Sequence, residues 1–134
     1  MATTTAAITL TSTDLLSDSL SLSTTATLTK AGGAVGLDQT SGLGRKTTTA
    51  TSTFTLFDGA DYTAAKAHKL YLKNTSTTDS EYYTLVVNSE EIGRLYAGDW
   101  AFLPYSASAD TNDIKLTPSV GTTMTLEYML IFEA

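Results

Sequence analysis

The chain has 134 residues, no cysteine, eight basic and fourteen acidic side chains, and a net charge of −6. That length fits one domain, and without cysteine there is neither a disulfide nor a thiolate metal site. An anionic surface repels phosphate backbones and anionic lipid, which argues against direct nucleic-acid or membrane binding. Charged residues reach only 16%, and Ser and Thr fill the gap at roughly 30%. Thr is β-branched and favours strands, so the composition is that of an all-β protein.

Few large side chains occur in residues 1–57. Ala6–Leu10 reads as an early short strand or as part of an extended arm spanning residues 1–18. Next, Leu20, Leu22, Ala26 and Leu28 share one parity while Ser19, Ser21, Ser23, Thr25 and Thr27 take the other. A period of two predicts a half-buried strand. Lys30–Gly44 holds five of the nine glycines and no aromatic residue, which predicts a long mobile loop. Thr47–Phe57 predicts one Thr-rich strand with Phe54 and Leu56 on a common face. Asp58–Ala67 is a connection, with at most a short helical turn over Tyr62–Ala67.

Leu70 and Leu72 alternate with Lys69, Tyr71 and Lys73 in a strand that stops at Asn74-Thr75-Ser76. Tyr82–Val87 is turned by Asn88-Ser89-Glu90 into a strand over Ile92–Tyr96. Ala97-Gly98-Asp99 then joins this run to a second one closed by Pro104. Gly98 can take a positive φ and Asp99 can hydrogen-bond nearby backbone, so a β-hairpin is predicted. Ile92 and Tyr96 share a face of its first run, and Trp100 and Phe102 share one of its second. Trp100 is the expected core anchor. Ser106–Asn112 is a polar loop, and Ile114 and Leu116 begin another strand that Pro118-Ser119-Val120-Gly121 turns. Met124, Leu126, Tyr128, Leu130 and Phe132 form the hydrophobic face of a central last strand. The total of about eight to nine strands predicts an antiparallel β-sandwich, of jelly-roll type, as a single domain over residues 1–134.

Catalytic and metal chemistry finds little support. His68 has no His or Cys partner, so it reads as a surface or strand-end residue, and the His cluster of a metal-binding cupin is missing. No Gly-x-Ser-x-Gly elbow accompanies it. Gly42-Leu43-Gly44-Arg45-Lys46-Thr47 departs from a phosphate loop because Arg45 stands where glycine must precede the Lys-Thr pair. Glu90 and Glu91 are adjacent and point to opposite faces of an extended chain, so they do not converge on a substrate. Asp110-Thr111-Asn112-Asp113 is oxygen-rich but lacks the glycine and distal Glu of a calcium loop. Asn74-Thr75-Ser76 has glycosylation spacing but reads as a turn, since nothing resembles a signal peptide. No apolar run approaches the ~20 residues of a membrane span, so a soluble protein is expected. The reading is of no enzyme, no cofactor and no metal.

Interface residues are the better candidates. Arg45 and Lys46 are the only adjacent cations and suit docking to an acidic neighbour. Tyr71, between two lysines, reads as outward-facing. Arg94 and Tyr96 are of the residue types enriched at interfaces. Ile8 and Leu10 are the sizeable apolar groups of residues 1–10, which carry no charge. That segment suits strand addition to another subunit's exposed edge. A first strand in the chain's own sheet is the competing reading.

Leu70-Tyr71-Leu72-Lys73-Asn74-Thr75-Ser76, Ile92-Gly93-Arg94-Leu95-Tyr96-Ala97-Gly98-Asp99-Trp100-Ala101-Phe102-Leu103-Pro104 and Met124–Glu133 together resemble small virion structural proteins of marine tailed phages, cyanophages included. The similarity covers most of residues 45–134 and, more loosely, the front half with Thr29-Lys30 and Gly36-Leu37-Asp38-Gln39. The resemblance implies a non-enzymatic virion protein, made in the bacterial host cytoplasm, that decorates or cements the capsid surface through protein–protein contacts. It implies the major capsid protein and copies of itself as partners, a trimer by analogy, and offers no catalytic residue. The rivals are a carbohydrate-binding module of a tail fibre, stacking sugars on exposed Tyr and Trp, and an adaptor of the tail or neck.

Overall fold

The computed structural model describes residues 3–15, 17–107 and 112–134. Its strands are β1 (Thr5–Ser12), β2 (Leu20–Thr27), β3 (Gln39–Thr40), β4 (Gly44–Thr48), β5 (Phe54–Phe57), β6 (His68–Asn74), β7 (Tyr82–Val87), β8 (Glu90–Tyr96), β9 (Trp100–Tyr105), β10 (Ile114–Pro118) and β11 (Met124–Phe132). No α-helix occurs among the described residues; a 3₁₀ turn over Gly59–Asp61, capped by the Asp58 side chain, links β5 to β6. All pairings are antiparallel. The expected all-β sandwich is therefore the observed architecture.

One sheet runs β3-β11-β6-β9, with β4 continuing the β3 edge along β11, and the other runs β5-β10-β7-β8. The β3/β4 edge is interrupted at Ser41, whose N–H donates to the Leu130 carbonyl and whose hydroxyl accepts the Leu130 N–H, both at 2.9 Å. Across the two sheets the first body strand pairs the last, β5 pairs β10, β6 pairs β9 and β7 pairs β8. The chain is thus a long antiparallel ribbon folded over on itself. Leu70, Leu72, Leu126 and Leu130 from one sheet meet Tyr83, Leu85, Leu95, Ile114 and Leu116 from the other. Each such side chain stabilises the fold by about 1.5–3 kcal/mol on burial.

Ribbon folding corrects several expectations. Thr47–Phe57 is not one strand: β4 and β5 lie in different sheets, and residues 49–53 cross between them. Nor is Ala97-Gly98-Asp99 a hairpin turn. Among the described residues β8 pairs only β7 and β9 pairs only β6, so this turn is a corner between sheets. The Gly98 N–H donates to the Asn74 carbonyl and the Asn74 N–H to the Asp99 carbonyl, both at 3.0 Å, and Gly98 has φ +81°. Asn74 is fully buried and staples the same end of the sandwich. Its amide donates to the Glu81 and Leu95 carbonyls, each at 3.1 Å, and its Oδ1 accepts the Ser76 N–H at 3.0 Å.

Lys30–Gly44, expected as a mobile loop, is tied to the body. Thr29 bridges Gly36, β3 pairs β11, and Leu28 and Leu37 are buried. The helical turn sits at Gly59–Asp61, ahead of the expected Tyr62–Ala67. β2 is almost wholly exposed, not half-buried, because it pairs with β1 alone in a separate two-stranded sheet. The polar loop around Ser106–Asn112 and the oxygen-rich Asp110-Thr111 fall largely outside the described residues.

Candidate functional site: an apolar outer face beneath a hairpin

A sandwich needs one apolar face per sheet, yet the longer sheet carries apolar side chains on both. Its inner parity in β9 is Ala101, Leu103 and Tyr105, which leaves Trp100, Phe102 and Pro104 facing outward. Register places Tyr71 of β6 opposite Phe102 and opposite Met129 of β11, with Lys69 and Lys73 on either side. Ile131 extends this outer strip along β11.

Trp100, expected in the core, is 50% exposed. It follows the corner at Gly98-Asp99, and it is Leu95 at the other side of that corner whose side chain enters the core. The signal was present in the parity of Ala101, Leu103 and Tyr105. Aromatic size outweighed it.

The β1–β2 hairpin lies over this strip. Ala6, Ala7 and Ile8 line a cleft of about 210 Å³ with Tyr71, Trp100 and Phe102. Thr4 lines a second, of about 330 Å³, with Leu37, Asp38, Gln39, Thr40, Met129 and Ile131. The hairpin base is held by the Leu28 N–H donating to the Thr4 carbonyl at 2.9 Å. Along the ladder Ala6 faces Ala26, Ile8 faces Thr24, Leu10 faces Leu22 and Ser12 faces Leu20. These positions form one mostly apolar side, and the other side is Ser, Thr and Ala7. Ala6 and Ile8 are half-buried, whereas Leu10 is 50% and Leu22 47% exposed.

The sequence-derived residues other than Lys46 fall into two groups. Ile8, Leu10, Tyr71 and Arg45 belong to the hairpin and the outer face of the longer sheet. The Arg45 guanidinium donates to Glu127 at 2.9 and 3.1 Å, and the Tyr71 hydroxyl donates to the same carboxylate at 3.1 Å. Arg45 and then Tyr71 hold the Glu127 carboxyl below its usual range, against its partial desolvation. Burial, with Glu127 beside it, raises the Tyr71 phenol.

Arg94 and Tyr96 lie on the outer face of the other sheet. There Arg94 stacks on the Tyr82 ring at 4.8 Å, and the Tyr82 and Tyr96 rings are 5.2 Å apart. Lys46 belongs to neither group. It has the opposite parity from Arg45 and lies over the Phe54 ring at 4.9 Å. Phe102, Met129 and Ile131 were not singled out from the sequence, because strand parity does not reveal which face is covered.

His68 is not a surface residue. It is buried at the start of β6, stacked on Phe132 and edge-on to Tyr62 and Tyr105. Its Nδ1–H donates to the Lys66 carbonyl at 3.0 Å, so the neutral ring carries its proton there. Burial lowers its pKa, partly offset by that bond and by Glu133. The Tyr105 phenol is pushed up to about 12, mainly by burial. His68 Nε2 and the Tyr105 hydroxyl find no hydrogen-bond partner among the described residues. No group of three or more metal-ligating side chains occurs among them either. No protein-family model, curated protein or solved structure matches this chain.

Proposed function

We propose that this chain is a non-enzymatic structural protein of a tailed-phage particle, decorating or cementing the capsid shell through protein–protein contacts. The observation that carries the reading is the outer face of the longer sheet. Tyr71, Phe102, Met129 and Ile131 are apolar where a free-standing sandwich needs polar residues, and a projecting hairpin covers them only in part. A surface of aromatic and Met side chains with a polar rim is the composition of an interface rather than of a reaction centre. The strand order supports the reading at the level of fold. Pairing first with last, β5 with β10, β6 with β9 and β7 with β8 is what a jelly-roll requires, an architecture used by viral capsid and lectin domains. Fold alone does not assign a role, and the phage assignment rests on the sequence resemblance.

Purified particles provide the test. A copy number comparable to that of the shell subunit, with purified protein rebinding to stripped shells, is the expected result. One ring's worth of copies at a tail or neck would sink the shell assignment in favour of an adaptor.

A second reading is favoured by one observation. Trp100, half-exposed beside Phe102 and Tyr71 at the smaller cleft, is a platform of the kind on which sugars stack. A tail-fibre carbohydrate module predicts quenching of Trp100 fluorescence by host-surface oligosaccharides. Shell decoration predicts none.

A further inference from the structure

The hairpin is longer than the face it covers. Its proximal half reaches the Tyr71–Trp100–Phe102 cleft with Ile8, and β9 is the last strand on that side of the sheet. Beyond Ile8, the same side of the ribbon continues with Leu10 paired to Leu22 and Ser12 paired to Leu20, and Leu15 near the tip is 70% exposed. A mostly apolar side, broken by Thr24 and Ser12, thus runs along the ribbon, and beyond Ile8 its Leu10 and Leu22 stand exposed. Among the described residues the outer edges of β1 and β2 are also unpaired.

We propose that the distal half of the hairpin docks on the Trp100 margin of the same outer face in a second copy of this chain, each copy lending its arm to the other. Three features select a second copy. The proximal half already seats on this face within the chain, so the distal half, with the same side and larger side chains, meets a surface of matching chemistry. The charges are complementary: Asp14 and Asp18 flank the tip, while Lys69 and Lys73 flank the receiving aromatics, and none of the four forms an ion pair among the described residues. The exchange is also self-complementary, as a two-fold interface requires. The inference stands whether or not the chain mounts on a shell.

Sedimentation velocity on the full chain is the first test, and a concentration-dependent dimer is expected. Leu10→Ser with Leu22→Ser should weaken it by at least about tenfold while leaving the melting temperature unchanged, since exposed sites barely affect stability. Raising the salt should weaken it further by screening the Asp–Lys contacts. Cross-linking supplies geometry, because the chain has no native cysteine. A chain carrying Leu22→Cys mixed with one carrying Trp100→Cys should be joined by a short bis-maleimide faster than either chain with itself. Three results would each overturn the proposal. One is a monomer at every concentration, and another is a dimer indifferent to the double Ser variant. The third is Leu22→Cys joining mainly to itself, which would place arm against arm rather than arm against sheet.

Discussion

In β11, Met124, Leu126 and Leu130 are almost wholly buried, whereas in β2 Leu22 keeps 47% of its surface in solvent. Both strands alternate with a period of two, and on sequence both promise a buried face. β11 has β3 and β4 on one side, β6 on the other, and a second sheet across the core. β2 has β1 alone. Alternation therefore specifies that a strand has an apolar side and leaves open what covers it. In the body the cover is the chain's own second sheet. For the hairpin it is partly the outer face of the longer sheet and partly, on our proposal, another copy.

The sharpest way to break this contrast is truncation of one leucine in each region. Leu126→Ala should cost about 2–5 kcal/mol in chemical denaturation, as fully buried leucines do, with Leu22→Ala within about 0.5 kcal/mol of zero. Equal losses would mean that the hairpin belongs to the folding core.

Asn74→Ala should come next, at about 2–3 kcal/mol. It strands the Glu81 and Leu95 carbonyls and the Ser76 N–H at the corner that separates β8 from β9. Loss of that staple with no change in stability would show the corner to be held by packing alone.

A smaller, pH-dependent effect is expected at Glu133, which fastens the hairpin-side loop to the body. Its carboxylate accepts the Ala31 and Ala67 N–H groups at 3.0 and 3.3 Å and pairs with Lys66 at 3.1 Å. The Ala31 bond, then Lys66 and Ala67, lower its pKa from 4.5 to about 2. A depressed carboxylate contributes stability that is complete above pH 4.5 and is lost as the pH falls toward about 2. Glu133→Gln should remove that part of the acid dependence, read as a flatter plot of denaturation midpoint against pH across the window. An unaltered plot would assign acid sensitivity to other carboxylates.

A small effect is also expected where the sequence promised one of the largest. Trp100→Ala should cost under about 1 kcal/mol in the isolated chain, against the roughly 3–5 kcal/mol of a core tryptophan. A melting temperature that falls steeply would return Trp100 to the core and remove the outer platform.

Much of the candidate site was legible residue by residue but not as a surface. Tyr71 between two lysines, and Ile8 and Leu10 in an uncharged arm, were recognisable from local pattern. That Tyr71 lies opposite both Phe102 and Met129 depends on pairings across more than thirty residues of chain. Gly44 illustrates the same limit. It reads as loop punctuation, yet it is the β4 residue opposite Tyr128, where a Cβ would stand 2.7 Å from the ring. His68 stands at the strand end as read, but its burial was not legible for a related reason, since it comes from Tyr62, Tyr105 and Phe132, none of them its sequence neighbours.

Composition and period two by themselves determined that the chain is all-β, where most strands begin and which residues of each strand share a side. Those properties are local, because successive side chains of an extended backbone point to opposite faces whatever the rest of the molecule does. Tertiary structure alone decided which sheet each strand joins, that the Gly98-Asp99 turn is a corner, that Trp100 faces out, and that β1 and β2 pair with each other in a sheet of their own. Burial is a property of what lies opposite a side chain, and in a ribbon folded end to end the strand opposite can be as distant in sequence as β4 is from β11.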